Sequence, residues 1–239
     1  MEKRRMASIF KKPSKVSYEL AKSLKKGSKV LIVDGFDGWH VFPFVRADHT
    51  VETYEPQSIF IDGGEIIEGN KSIIIHGLKK RINAYNVKKK VKYFNKNFYK
   101  QNDVNTYDFV HVYKSLHRKC HADMTVQYKI KKLQESVSDD GEIYIYYHLA
   151  VNDEDEYTYP KNQYLRTNEM ISYFNLDEWN IIYYKERNKL RIDYGHVGHM
   201  TPHLHRIGYI HAKRKKHRNR NDKRNYKYHF HIKIGYTYI

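Results

Sequence analysis

Lys29-Val30-Leu31-Ile32-Val33-Asp34-Gly35-Phe36-Asp37-Gly38 is the stretch that decides how this 239-residue chain is read. Lys29 to Val33 is short, apolar and rich in β-branched residues, with Gly27 before it and Asp34-Gly35 after it. That composition suits a strand buried on both faces, as in a parallel sheet, ending in a tight turn. Thr50-Val51-Glu52-Thr53-Tyr54 gives a second strand signal, closed by Glu55-Pro56. Between them, Gly38 to Ala47 has room for a helix, weakened by Pro43, which lacks a backbone donor. In open α/β sheets ligands bind outside the carboxyl ends of the strands. Glycines in the Asp34-to-Gly38 turn permit positive φ and close backbone approach. A carboxylate at Glu55, closing the second strand, can accept hydrogen bonds from both hydroxyls of a ribose.

Working outward, residues 56–70 contain Gly63-Gly64 and Gly69 and read mostly as loop; 71–87 read as a helix, or as a short strand plus helix. Val91–Phe94 and Tyr107–Tyr113 read as the third and fourth strands. Ala122 to Val137 reads as an amphipathic helix, because Met124, Tyr128, Ile130, Leu133 and Val137 recur near helical spacing. Asp139-Asp140-Gly141 turns the chain into a fifth strand, Glu142–Tyr147. Thr167 is the expected N-cap of a helix through Phe174. Trp179–Lys185 and Ile207–Ala212 are the sixth and seventh strands, with no helix between them. Strands alternating with helices predict an α/β chain with a Rossmann-like, seven-stranded, mostly parallel sheet, an antiparallel last strand and helices on both faces.

Hydrophobic residues at 40 % and aromatics at 15 % are enough for a packed core. No stretch approaches the ~20 apolar residues of a membrane span. The first residues carry charge but no apolar leader, so no secretory signal is expected. The single cysteine, Cys120, excludes an intrachain disulfide and a Cys-rich zinc site. Together these predict a cytoplasmic protein. The net charge of +17 gathers at the ends: residues 1–27 hold nine Lys/Arg against two Glu, and 213–239 hold ten Lys/Arg against one Asp. The expected organisation is a basic amino-terminal extension (1–27), a domain (28–212) and a basic carboxyl-terminal extension (213–239). Residues 213–227, with Arg218, Arg220 and Arg224, suit non-specific contact with nucleic-acid phosphates, and Tyr226, Tyr228 and Phe230 could stack on bases. A solvated tail accounts for the same residues.

Val30 to Gly38 resembles the first motif of the class I S-adenosyl-L-methionine-dependent methyltransferases. Ile32 replaces an acid, Asp34 and Phe36 replace glycines, Gly38 is in register and Gly35 can stand in for a lost glycine. Tyr107-Asp108-Phe109-Val110 followed by Ser115-Leu116-His117 is similar to the fourth motif and the loop after it. Ser138 to Glu142 resembles the turn before the fifth strand, without its proline. Glu169 to Phe174, Trp179 to Glu186, Gly195-His196, Pro202 to His205 and Gly208 to Lys213 resemble the tellurite-resistance-type small-molecule methyltransferases. The resemblance covers about residues 28–213 and implies methyl transfer from S-adenosyl-L-methionine to a small-molecule acceptor. It places Gly35 and Gly38, with Asp34 in the same turn, at the methionine part of the cofactor. Glu55 falls at the ribose, Asn97 at the adenine amino group, and Ser115 and Leu116 below the sulfonium. The cofactor is an activated methyl donor, so the protein's task is to exclude water and align the reactants.

His117 is the candidate general base, or an exposed loop residue. His196, His199, His203 and His205 lie in the loop between the sixth and seventh strands, where they would line a substrate pocket. Their spacing matches no standard zinc pattern, so no metal is expected. Two rivals stand beside this reading. One is an RNA- or DNA-directed methyltransferase, against which the absence of an N-P-P-[YFW] tetrapeptide argues. The other is a catalytically decayed methyltransferase-like protein that binds nucleic acid or protein through its basic ends, a rival that Ile32 and Phe36 keep open.

Overall fold

The structure is a computed structural model in which residues 6, 8–10, 12–68, 71–102, 106–193 and 203–216 are described. In chain order the first half forms α1 (Lys15–Ser23), β1 (Lys29–Val33), α2 (Val41–Arg46), β2 (Thr50–Tyr54), α3 (Ser58–Asp62), β3 (Gly64–Glu68), β4 (Lys71–Ile75), α4 (Leu78–Ala84) and β5 (Val91–Phe94). Then follow β6 (Tyr107–Tyr113), α5 (Val126–Glu135), β7 (Val137–Leu149), α6 (Glu169–Ser172), β8 (Trp179–Asp193) and β9 (His203–Arg214). Seven strands form one sheet in the order β5-β2-β1-β6-β7-β9-β8. Every pairing is parallel except those of β9, which runs antiparallel to both β7 and β8. The Rossmann-like α/β sheet with an antiparallel last strand is therefore present. The last strand inserts beside β7 and leaves β8 at the edge.

Alternation along the central strands divides the core in two, because successive side chains leave a strand on opposite faces. Val30 and Ile32 of β1, Phe109 of β6 and Tyr144 and Tyr146 of β7 pack with Leu20, Val41, Phe44, Leu78 and Ile82 from α1, α2 and α4. Leu31 and Val33, Val110 and Val112, Ile143 and Ile145 pack on the other face with Val126, Ile130 and Leu133 of α5 and Met170 of α6. Both faces are thus covered by helices, which is why β1 is apolar without a break.

Local physics explains where elements depart from expectation. Helix α2 forms despite Pro43 because it begins at Val41, so the proline falls in the first turn, whose N–H groups have no intrahelical partner. Residues 56–70 are not mostly loop. They hold α3 and β3, and β3 pairs with β4 as a separate two-stranded hairpin. Helix α5 is shorter than expected. Thr125 caps it by accepting the Tyr128 N–H at 3.1 Å, and Tyr128 points outward. The buried position next to it is Lys129, whose Nζ donates to the carbonyls of Leu116 (2.6 Å) and Asn162 (2.8 Å). Strand β7 starts at Val137, with a register irregularity through the expected 139–141 turn. Thr167 does not cap a helix. Its hydroxyl donates to Asp153 Oδ2 at 2.6 Å, and α6 begins after Asn168.

The amino-terminal segment is not a separate extension over its described length. Ser14 caps α1, and Ser17, Leu20 and Ala21 form one buried stripe at helical spacing. Ser17 is fully buried, and its hydroxyl bridges His40 Nδ1 (2.7 Å) and His111 Nε2 (3.0 Å). Burial holds both imidazoles in the neutral form, driving His111 down to about 3 and His40 well below its usual value. Replacing Leu20 by Ala should therefore cost about 2–3 kcal/mol in urea unfolding. A freely solvated extension would lose under about 0.5 kcal/mol.

Candidate functional site

The carboxyl ends of β1 and β2 meet at the turn after Val33. Asp34 (φ 57°) and Phe36 (φ 49°) both adopt left-handed backbone, a conformation worth of order 1–3 kcal/mol of strain for non-glycine residues. The surroundings hold it in place. A Cβ on Gly35 would strike Thr53 Oγ1 of β2, and one on Gly38 (φ 89°) would strike Phe42 and Leu78. These two glycines allow the turn to pack against β2, α2 and α4.

Two buried carboxylates face each other across this turn. Asp34 Oδ2 accepts from Ser115 Oγ (2.7 Å) and His121 Nε2 (2.8 Å) and lies 3.1 Å from Arg118 Nη1. Glu55 Oε2 accepts from the Phe36 N–H (3.1 Å) and Arg118 Nη1 (3.0 Å). Its Oε1 accepts from the Gln57 N–H (3.0 Å) and Arg118 Nη2 (3.0 Å). The guanidinium also lies 4.4 Å from the centre of the Phe36 ring, a cation–π contact. Burial pushes the Asp34 carboxyl up, but Arg118 and His121 outweigh it and hold Asp34 down at about 2. Burial likewise works against a charged His121, and Asp34 overrides it, lifting the imidazole to about 9. Glu55 lies above the usual carboxylate range, through burial and the negative charge of Asp34, although Arg118 pulls the other way. Two acids and two bases thus meet in a dry setting, with Arg118 against both carboxyls and His121 against Asp34.

Asp37, on the far side of Phe36, has its own partners. It pairs with Arg81 Nη1 at 3.1 Å and accepts from Ser8 Oγ (2.8 Å) and the Ile9 N–H (3.1 Å). This anchors residues 8–10 over the turn. Phe10 then stacks on Trp39 (5.2 Å between centroids) and meets Phe36 (4.9 Å) and Phe60 (5.8 Å).

The remaining sequence-predicted residues are partly gathered and partly committed elsewhere. Ser115 and Leu116 do not line an open site. Ser115 is fully buried between Asp34 and the Tyr99 hydroxyl (2.9 Å), and Leu116 belongs to the core. The Asn97 side-chain oxygen, expected at an adenine amino group, accepts the Tyr99 N–H at 3.0 Å and caps a short turn. His117 is half-buried and stacks on His148 with 4.0 Å between centroids, and His148 stacks on His205, also at 4.0 Å. The structure thus joins His117 to His205 through a residue the sequence reading did not name. Their planes lie within 14° and 9° of parallel, so the ring nitrogens do not converge on one point. Among the described residues no group of three His, Cys, Asp or Glu could hold a metal ion. His196, His199 and the His203 side chain lie outside the described residues.

Sequence reasoning missed Arg118, His121 and Tyr99. The signal was the run His117-Arg118-Lys119-Cys120-His121, directly behind the Ser115-Leu116-His117 segment, where the reading stopped.

Bond counting tests whether these residues fit the cofactor that the resemblance implies. A carboxylate offers about four lone-pair sites, and Glu55 already accepts four hydrogen bonds, two of them from Arg118. The Phe36 ring stands where the motif has a glycine. With Arg118 on Glu55, the residues do not fit an adenosyl group. With Arg118 withdrawn, Glu55 would regain one acceptor position on each oxygen.

No family model and no curated protein matches the chain. Solved structures do. TehB from Haemophilus influenzae is similar at 15 % identity with a TM-score of 0.61, covering 85 % of this chain and 62 % of that one. The 1,6-didemethyltoxoflavin-N1-methyltransferase from Burkholderia thailandensis, solved with bound 1,6-didemethyltoxoflavin and S-adenosylhomocysteine, is similar at 10 % identity and TM-score 0.51, covering 84 % of this chain and 78 % of that one. The [4+2]-cyclase SpnF is similar at 8 % identity and TM-score 0.56, covering 83 % and 80 %. With the strand order above, these likenesses establish the class I methyltransferase fold. They carry the fold alone, and a cyclase among them means that the fold does not by itself select methyl transfer. The chain spans 62 % of the TehB chain.

Two outcomes follow from the charge network. Arg118→Leu strands the buried Glu55 carboxylate, while Asp34 keeps His121, and should cost about 3–5 kcal/mol at pH 7. That deficit should shrink toward pH 4, where Glu55 takes a proton in the folded variant. His121 titrates higher folded (about 9) than unfolded (6.5), so its contribution is full below pH 6.5 and lost as pH rises through 9. Urea unfolding at pH 6 and pH 9.5 should show this decline in the wild type and not in His121→Gln.

Proposed function

We propose that the chain is a methyltransferase of small molecules that uses S-adenosyl-L-methionine, and that the cofactor enters only when Arg118 leaves Glu55. The observation that carries this reading is Glu55 itself. It is a buried carboxyl group at the end of β2, next to β1 in a sheet of class I methyltransferase order, and two of its four acceptor positions are filled by Arg118. Removal of Arg118 would leave Asp34 and Glu55 facing a ligand that brings a sulfonium cation and two ribose hydroxyls, which replace the charge and the two donors that Arg118 withdraws. His117, half-buried at the end of the His148–His205 stack, is the group proposed to receive a proton from the acceptor. The small-molecule class is supported by the kind of acceptor named for the toxoflavin enzyme. A cytoplasmic setting is part of the proposal, supported by the lone thiol of Cys120. Among the described residues no helix is long and apolar enough to cross a membrane.

A second reading is favoured by a specific observation. Phe36 meets Phe10 and Phe60 edge to face, and all three rings lie within 5.8 Å of one another over the turn, which is the packing of a core and not of a ligand cleft. On this reading the chain is a methyltransferase-like scaffold without the cofactor.

Isothermal titration calorimetry with S-adenosyl-L-methionine and with its demethylated product separates the two. The enzyme reading expects weak binding to the wild type, about tenfold or more tighter binding to Arg118→Gln (at least ~1.4 kcal/mol), and none to Glu55→Ala. Absence of binding to both the wild type and a folded Arg118→Gln would establish the scaffold reading instead.

A further inference from the structure

Residues 69–102 contain ten Lys or Arg and no Asp or Glu. The near-neutral charge of the domain as a whole conceals this, because carboxylates are concentrated elsewhere in it. The structure places the segment on β4, α4 and β5, and β5 is an edge strand of the main sheet. Lys79, Lys80, Lys88, Lys89, Lys92, Lys96 and Lys100 are exposed. Some have acidic partners: Lys79 pairs with Asp62, Lys92 with Glu52 and Lys100 with Asp123. Lys80, Lys88, Lys89 and Lys96 have no carboxylate partner among the described residues. At the amino ends of β1, β2 and β5, Lys29, Lys88, Lys89, Lys90, Lys92 and Tyr93 line an open cleft together with Glu52, which pairs with Lys29 and Lys92, while Lys90 pairs with Asp48. From there the positive surface follows the edge strand to Lys96.

We propose that this edge is a binding surface for single-stranded nucleic acid, built into the folded domain and independent of the basic termini. Four unpaired ammonium groups along one edge match the repeating charge of a phosphate backbone and would displace its counterions. Tyr93 and Phe94 leave β5 on opposite faces; Phe94 stacks on Tyr54, while Tyr93 is half-buried on the cleft side beside Lys79 and offers one aromatic ring for a base. The cleft opens at the amino ends of the strands, whereas Asp34 and Glu55 stand at the carboxyl ends. The surface is anchored at the amino ends and reaches, at Lys96, the residue after Asn95, whose side chain donates to the Glu55 carbonyl at 2.9 Å. Asp34 and Glu55 are held by Arg118 and not by these lysines, so the inference stands whether or not the cofactor binds.

The test is fluorescence anisotropy of the full chain with a labelled oligothymidylate of roughly 20 nucleotides, as a function of salt. Three proteins are compared: the wild type, an edge variant (Lys80, Lys88, Lys89 and Lys96 each to Gln) and a tail variant (Arg218, Arg220, Lys223 and Arg224 each to Gln). All edge substitutions are at exposed positions, and circular dichroism verifies folding. If each edge lysine neutralises one phosphate, the slope of log K against log salt becomes shallower by about 3 in the edge variant, since each contact to a single strand contributes about 0.7. Three results would overturn the proposal: no binding by the wild type, a slope changed only by the tail variant, or binding to phosphatidylserine vesicles without binding to the oligonucleotide. The vesicle arm is needed because Ile67 and Ile74 are exposed on the neighbouring hairpin (75 % and 66 %).

Discussion

One guanidinium bridges two buried carboxyl groups, and the carboxyl end of the sheet is arranged around it. Asp34 ends β1 and Glu55 follows β2, so parallel pairing of those strands forces two acids into one dry region. Unpaired, they would be strongly disfavoured in the charged state. Arg118 arrives on the loop after β6 and bonds to both, while His121, three residues later, supplies the second positive charge to Asp34. The loop is held from below by Lys129, which binds the Leu116 carbonyl. The same network fixes the left-handed backbone at Asp34 and Phe36, so turn geometry and charge balance depend on each other.

Asp37 and Arg81 repeat the device one step away, and there the beneficiary is the amino-terminal segment. Ser8 and Ile9 bond to Asp37, Arg81 and Tyr85 donate to the Met6 carbonyl, and Phe10 closes over Phe36. Helix α1 then packs on α2 through Leu20 and Ala21, with Ser17 joined to two neutral histidines. A segment whose composition reads as a basic extension is thereby half core and half cover for the turn. The basic side chains of α1 itself, Lys15 and Lys22, remain on its outer surface.

Charge is distributed by face and not only by chain end. The edge formed by α4 and β5 is basic, and the acids of the domain are used largely in pairs, as in Asp153 with Arg206 and Glu142 with His211. The positive edge adjoins the charge-balanced interior of the turn: Arg81 of α4 pairs with Asp37, and Asn95 after β5 donates to the Glu55 carbonyl.

The architecture can be read in order along the chain. Uninterrupted apolar strands, glycine turns and alternating helical segments state a parallel α/β sheet, because burial on both faces leaves no polar alternation to misread. The Ile207–Ala212 strand without a preceding helix stated the antiparallel return. The sequence also states where the ligand end must be, since Asp34 and Glu55 are strand ends whatever surrounds them. The bonding of those acids, in contrast, depends on residues far away in the chain. Arg118 is 63 residues from Glu55 in sequence, and no local pattern announces that its guanidinium fills four-way bonding at a distant carboxylate. His148 is a strand-end residue in sequence and the middle of an imidazole stack in space. The burial of Lys129 inverted a helical pattern because two carbonyls from distant loops satisfy its ammonium. Local periodicity is encoded residue by residue and can be read in order. Pairing of charges across the fold depends on which strands become neighbours, and that is settled only when the sheet closes.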